Sequence, residues 1–206
     1  ENNFHFDMHI YNTELLSTVF QIPVKVYTHS TIKGYFNDKA QRLRVEGYFP
    51  RLRYENKFIE SGMFLCENPG DQFHTRLRFS NRKSSGAVNI ALEAQAQSNS
   101  IQTTLNWGNS STVTYSGKLA AVAHFIREQK EANENKRKLP PLKTVINVQP
   151  TNVILNDTLW DIHPSQVVLD SGKVYVNDFY FSHKDRHLRI NGIVSPQPED
   201  TVRLDL

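Results

Sequence analysis

Short segments in which apolar and polar residues alternate run through almost the whole chain, separated by turn-forming residues. One unit recurs, in which an alternating stretch crosses a glycine and continues in the same pattern. It reads HLRINGIV at 187–194, RLRVEGYF at 42–49 and, more faintly, YSGKL at 115–119. Side chains two positions apart share a face of a strand, so each unit predicts a strand with one apolar face. Recurrence at roughly 70-residue intervals predicts one long meander of similar units rather than a compact domain around a pocket.

The alternating segments and their breaks predict an all-β chain with many strands. The breaks carry residues typical of turns, such as Asn-Pro-Gly-Asp at 68–71 and Asn-Asp at 156–157. One short helix is expected near the N-terminus, with Asn12 as its N-cap and Pro23 ending it; its apolar residues, at helical spacing, are Leu15, Leu16, Val19 and Phe20. The predicted strands are 4–10, 24–27, 43–49, 58–66, 73–79, 88–96, 101–107, 112–116, 145–148, 153–155, 166–170, 173–181, 188–194 and 201–206.

The stretch 118–138 is ambiguous between helix and strand. Leu119, Val122, Phe125 and Ile126 have helical spacing, and the alanines and charged residues around them favour a helix on propensity alone. The same stretch also alternates as a strand would. The polar run of mixed charge that follows predicts a solvated loop or hairpin tip over 127–141.

Composition favours an open sheet over a closed core. Hydrophobic residues make up 38% of the chain, and the mean hydropathy is −0.52. A sheet that is apolar on one face only has such a composition. The net charge of +3 comes from basic residues interleaved with acids, so no nucleic-acid partner is predicted. The chain opens and stops within strand-like patterns, which suggests an internal piece of a longer protein.

No arrangement of residues predicts catalysis, a cofactor or a metal. His-x-Asp-x-His occurs at 5–9 and at 183–187, but ligands spaced along a strand converge poorly on one ion. The chain lacks the nucleophile elbow, the phosphate-binding glycine loop and the zinc-protease motif. We therefore predict a protein that is not an enzyme, with no catalytic residues, no cofactor and no metal site.

The apolar rows of the predicted strands are the best candidate for a functional surface. They either line a trough that holds a hydrophobic ligand or pack against each other in a sandwich core. The candidate lipid-lining residues are Leu43, Val45, Phe49, Leu77, Phe79, Val88, Ile90, Leu92, Ile101, Leu105, Trp107, Leu188, Ile190 and Val194.

The C-terminal third resembles a known family in the order of its motifs. TNVILNDTLWDI at 151–162 is followed by NDFYFSH at 177–183, LRING at 188–192 and DTVRL at 200–204, and 101–107 and 115–117 fit the same series. This series resembles the TamB (translocation and assembly module) family of Gram-negative envelope proteins, within the AsmA-like superfamily. The resemblance implies a β-taco, which is a long, curled antiparallel sheet forming a trough with an apolar interior. It also implies that Leu119 to Ile126 is a strand.

The function implied by this resemblance is envelope biogenesis. Family members are anchored in the inner membrane, cross the periplasm, and are implicated in moving phospholipid to the outer membrane and in assembling and secreting outer-membrane proteins. We therefore expect a periplasmic segment that carries acyl chains, with phospholipid and an outer-membrane assembly barrel protein as partners and membrane association through regions outside this chain. Two alternatives remain: a non-catalytic assembly scaffold, or a carbohydrate-binding β-sandwich with Tyr48, Tyr54, Tyr175 and Tyr180 as candidate residues.

Overall fold

The computed structural model describes residues 3–14, 18, 24–55, 57–83, 86–127, 142–196 and 202–205. Of these residues 79% are in strands, and the strands form one curled antiparallel sheet, as the sequence predicts. The strands are β1 (Asn3–Ile10), β2 (Val24–Val26), β3 (Ser30–Asn37), β4 (Arg42–Tyr54), β5 (Lys57–Glu67), β6 (Gln72–Lys83), β7 (Gly86–Gln97), β8 (Ser100–Asn109), β9 (Tyr115–Arg127), β10 (Leu142–Val148), β11 (Thr151–Leu155), β12 (Thr158–Ile162), β13 (Ser165–Asp170), β14 (Lys173–His183), β15 (Arg186–Val194) and β16 (Val202–Asp205).

Several strands are joined by two-residue turns. Asn156 and Asp157 have φ of 53° and 60°, and Ser171 and Gly172 have φ of 49° and 81°. Positive φ at both central residues is typical of the type I′ turn, whose twist matches that of the flanking strands. These turns join β11 to β12 and β13 to β14.

The sheet is a meander of extended segments, which we call runs; a run is one strand, or two strands separated by a short interruption. Each run pairs with the next run in the sequence. β10 and β11 together form one run, interrupted before Thr151 by Pro150, and both pair with β9. β12 and β13 form the next run, interrupted at Pro164, and the two runs keep one register on both sides of the interruption. β2 and β3 form a similar interrupted run along β4. β1 and β16 lie at the two ends of the sheet and do not pair with each other.

The pairing registers assign the strand residues to two faces. On one face a row of facing residues crosses β1 and β3 to β9: Met8, Ile32, Gly47, Phe64, Leu77, Leu92, Leu105 and Leu119. We call the side that carries this row the apolar face and the opposite side the polar face. On the polar face the neighbouring row contains Lys33, Glu46, Leu65, Arg76 and Glu93.

Two lines of irregular positions cross the sheet. The first bend line passes through Pro50 on β4 and Ser61 on β5, which occupy facing positions; Ser61 has a φ of 50°. The second bend line passes through Pro150, Pro164 and Asp178, on three adjacent runs, and Asp178 has a φ of 55°. An extra residue in a strand bends it locally and reverses the alternation of side chains beyond it.

Strand β14 shows what this reversal does. Val176 and Phe179 are three positions apart, yet both lie on the apolar face, because their partners Gly192 and Ile190 are two positions apart on β15. Without the extra residue, the aromatic residues after Asp178 would face the polar side. The bend line therefore keeps the apolar face continuous while the sheet changes direction.

The buried apolar side chains lie beside the bend lines. Val26 and Leu52, 3% and 8% exposed, pair with each other next to the first line, and Val153 and Ile162, 3% and 9% exposed, lie next to the second. Within the described ranges, strands in extensive contact are hydrogen-bonded neighbours. All strands of these ranges belong to one sheet, so no second sheet covers either face there.

Aromatic rings cover glycines on the apolar face. Phe64 lies across Gly47, its direct partner, and Trp107 lies across Gly117 in the same way. A Cβ at either glycine would collide with the ring. Two of the glycines in the recurring sequence unit are thus required by close approach of a cross-strand ring.

The structure corrects several details predicted from the sequence. Strands β3 and β12 were not predicted, and residues 112–114, predicted as strand, form a loop. Within 118–127 the strand alternative is confirmed, because these residues belong to β9. Arg127, assigned to the predicted polar loop 127–141, is the last residue of β9 and pairs with Leu142. The rest of that loop lies outside the described residues.

The predicted helix also falls largely outside the described residues. Residues 15–17 and 19–23, which include its four apolar positions, are not among them. At the predicted start, the Glu14 backbone N–H donates a hydrogen bond to Asn12 Oδ1 at 2.7 Å, as an N-cap would accept it.

Candidate functional site

The predicted lipid-lining residues all lie on the apolar face. Their registers connect them through facing partners to one side of the sheet: Leu43, Val45 and Phe49 on β4, Leu77 and Phe79 on β6, Val88, Ile90 and Leu92 on β7, Ile101, Leu105 and Trp107 on β8, and Leu188, Ile190 and Val194 on β15. The structure therefore brings together residues that are far apart in the sequence. Whether they hold a lipid stays a prediction.

Solvent reaches this face in the middle of the sheet and near its end. Val88, Ile90 and Val194 are 44%, 40% and 51% exposed. Val88 and Ile90 are neighbours on one face of β7, and clustered apolar side chains exposed this far are typical of surfaces that bind an apolar partner. An apolar ligand lying on the face would remove these side chains from water.

The most regular part of the face is a run of leucines. Leu77, Leu92, Leu105 and Leu119 face one another on β6 to β9. Neighbouring strands are about 4.8 Å apart, so the full row from Met8 to Leu119 measures roughly 34 Å along the sheet. The four leucines present nearly equivalent aliphatic positions, whereas Gly47 and Phe64 interrupt the aliphatic series further along the row.

Several members of this face were not predicted from the sequence. They lie on strands that lacked clear alternation, or in rows that only the register reveals: Phe4, Phe6, Met8, Ile32, Phe36, Phe64, Leu119, Val153, Trp160, Phe179 and Phe181. Trp160 and Phe181 stack with their ring centroids 4.7 Å apart. The alternation of 4–10 was visible in the sequence, but nothing there showed which other strands its apolar side joins.

The polar face carries ion pairs within strands and between neighbouring strands. Arg44 Nη1 donates to Glu67 Oε2 at 2.6 Å, and Arg44 Nη2 donates to Glu46 Oε2 at 2.8 Å. The hydrogen bond to Glu46, with the charges of both carboxylates, raises the pKa of Arg44 above its ordinary value. Lys33 Nζ lies 3.2 Å from Asp7 Oδ2. This face remains hydrated while the opposite face is apolar, so the sheet is amphipathic through its thickness.

The two His-x-Asp-x-His triplets do not form metal sites of three ligands. In the first, His9 Nδ1 is 2.7 Å from a nitrogen of His29, while His5 stacks on Tyr35 with centroids 5.9 Å apart. In the second, positions 184–185 form a hairpin tip. Among the described residues no group of three His, Cys, Asp or Glu side chains is arranged to hold a metal ion.

The tyrosines considered for sugar binding are divided between distant parts of the sheet. Tyr48 and Tyr54 are on β4, whereas Tyr175 and Tyr180 are on β14, with β5 to β13 between them in the order of strands. The sandwich itself is also missing from the described part of the chain, which forms one sheet. The structure does not assemble this candidate site.

No helix within the described ranges has the length and apolar character needed to cross a bilayer. Comparison with known proteins finds no matching family model, no matching curated protein and no matching solved structure.

Proposed function

We propose that this chain is a lipid-carrying segment of an envelope-biogenesis protein, in which the apolar face holds acyl chains and carries them between the inner and outer membranes. One observation carries the proposal: an apolar face continues across a single sheet, and apolar side chains on it remain exposed to solvent within the described ranges. The resemblance to the TamB family supports a periplasmic setting, with an inner-membrane anchor outside this chain.

The energetics of the face suit binding without a fixed position. Removing one CH₂ group from water contributes about 0.8 kcal/mol, so an acyl chain lying on the face gains several kcal/mol even when half of it stays exposed. Facing leucines such as Leu92 and Leu105 offer nearly the same environment from strand to strand. An acyl chain therefore meets no deep trap between neighbouring positions and can slide along the row.

The direct test is lipid content and lipid uptake of the purified protein. Mass spectrometry of an organic extract should find phospholipid, and the protein stripped of lipid should take up a fluorescent phospholipid from detergent or vesicles. An extract without phospholipid, together with no uptake of the fluorescent lipid, would count against lipid carriage. It would favour a second function, a non-catalytic scaffold for outer-membrane protein assembly.

A matched pair of variants on β7 ties uptake to the apolar face. Ile90 lies on that face and is 40% exposed, whereas Asn89 is its exposed neighbour on the polar face. A guanidinium among acyl chains must be desolvated, so Ile90→Arg should weaken uptake about tenfold or more. Asn89→Arg should leave it unchanged. Equal effects of the two variants would refute the assignment to this face.

A further inference from the structure

The polar face contains a depression that lipid carriage does not use. It is a cavity of about 340 Å³ formed on β3, β4, β5 and β6. Its main lining side chains are Lys33, Tyr48, Met63, Leu65, Arg76 and Arg78. This volume lies at the lower end of the range found for small-molecule sites, which usually combine an apolar lining with a few convergent polar groups.

The floor of the cavity is unusually apolar for this face. Tyr48 and Met63 are direct partners in adjacent strands, and they are 43% and 45% exposed. Leu65 lies in the next row, between Glu46 and Arg76. A polarizable thioether beside an aromatic ring adapts readily to a flat apolar ligand.

The residues that line the cavity carry three cations, Lys33, Arg76 and Arg78, and one acid. The acid, Glu46, already accepts hydrogen bonds from Arg44 at 2.8 and 3.3 Å. Among the cations, Lys33 is 3.2 Å from Asp7, and Arg78 is 3.7 Å from Glu93, a long contact between exposed side chains.

Arg76 faces Glu93 of β7, but it forms no ion pair with this or another carboxylate of the described residues. It shares the polar face with Arg78, two positions along β6 and therefore about 6.5–7 Å away. This is the spacing of their backbone positions, and two long arginine side chains that start this far apart can both reach one anionic group, to which each presents paired donors.

We propose that this cavity binds a small amphipathic anion, with a compact apolar body against Tyr48 and Met63 and a carboxylate, sulfonate or phosphate between Arg76 and Arg78. The site lies on the face opposite the one assigned to acyl chains, so it is independent of the proposed lipid carriage. Exposed charges are screened by salt, and affinity should fall as ionic strength rises.

Titration calorimetry with two probes tests the charge requirement. Naphthalene-2-sulfonate supplies the apolar body and the anion, and naphthalene-2-methanol supplies the body alone. The sulfonate should bind at least tenfold more tightly than the alcohol at low salt. Equal affinities, or no sulfonate binding at millimolar concentration, would overturn the proposal.

Variants then locate the site. Arg76→Gln should weaken sulfonate binding about tenfold and Met63→Ser should weaken binding of both probes, while circular dichroism checks that each variant is folded. Lys118→Gln removes a polar-face cation outside the cavity, and Ile90→Arg alters the apolar face; neither should change sulfonate affinity. Unchanged affinity in Arg76→Gln, or a loss in Ile90→Arg, contradicts this location, and the second result would assign the sulfonate to the lipid face instead.

Discussion

Apolar side chains are largely exposed in the middle of the sheet and buried beside its two bend lines. From β6 to β9 the ladders run without interruption, and apolar residues such as Val88 and Ile90 remain 44% and 40% exposed. Beside the bend lines, Val153 is 3% and Leu52 8% exposed. Both regions have the same kind of sequence pattern, so burial depends on the geometry of the backbone rather than on composition.

The difference has a physical origin in the irregular positions. A regular single-layer sheet gives an apolar side chain only its cross-strand and same-face neighbours to pack against. Where an extra residue bends adjacent strands, side chains from both sides of the bend converge. Val153 and Ile162 lie within a few residues of Pro150 and Pro164. The bend lines therefore supply the local cores, and the regular middle supplies the open surface.

Deleting Asp178 should have the largest effect, because it removes the extra residue of β14 from the second bend line. Phe179 and Phe181 would then turn towards the polar face. Both rings are half-buried, so the loss of that burial costs roughly 1.5–3 kcal/mol, and the disrupted pairing of β14 with β15 adds to it; urea denaturation measures the sum. Asp178→Asn keeps the length of the strand and is the control; equal stability of the deletion variant and this control would show that the extra residue has no role in register.

A pair of identical substitutions compares burial in the two regions directly. Val153→Ala at the bend should cost about 1.5–3 kcal/mol, whereas Val88→Ala in the open middle should cost less than about 1 kcal/mol. Chemical denaturation of both variants measures the difference. If the two values coincide, the bend is not a core.

Leu92→Arg separates an open face from a closed one. Leu92 is half-buried between Leu77 and Leu105, and a long side chain on an uncovered face can move its charged end into water. We expect a loss of less than about 1.5 kcal/mol, together with loss of lipid uptake. Unfolding of this variant, seen by circular dichroism, would indicate that another layer covers the face.

The smallest expected effect is a change in stability at low pH, and it arises from an ion pair on the exposed polar face. Arg189 Nε donates a hydrogen bond to Asp178 at 2.5 Å and thereby lowers the pKa of this carboxyl below its ordinary value of 3.8. A depressed folded-state pKa stabilises the folded protein above the unfolded pKa, and this contribution is lost as the pH falls through the folded value. The stability difference from Asp178→Asn should therefore shrink below pH 3.8. A pKa of the Asp178 carboxyl at or above its ordinary value, measured by NMR titration, would contradict the pairing.

The alternation of side chains predicted the class of fold and much of the apolar face, but it did not predict strand β3. In β3, Gly34 occupies an apolar-face position and is covered by Phe6 of β1. The apolar group at this position is therefore supplied by another strand, and the alternation of 30–37 cannot be recognised from that segment alone.

Side-chain hydrogen bonds explain one error at a strand boundary. Residues 112–114 carry strand-forming residues, yet Asn109 Nδ2 donates to the Val113 carbonyl at 2.7 Å and its Oδ1 accepts from the Tyr115 N–H at 2.7 Å. These bonds hold the segment as a loop. For the alanines of β9, pairing on both sides with β8 and with β10 and β11 overrides helix propensity.

The cavity on the polar face could not be predicted from the sequence. Tyr48, Met63 and Arg78 come from three strands and become neighbours only through the register. No sequence pattern distinguishes any of the three from other residues on the solvent-facing side of a strand.

The meander has a consequence for how such a chain can change in length. Each run is hydrogen-bonded to its sequence neighbours, so inserting one hairpin adds two strands and widens the sheet by roughly 9–10 Å without reversing any later strand. The distance over which the sheet extends can thus grow in whole-hairpin steps, and natural variants of different reach can arise by duplication of a single genetic unit.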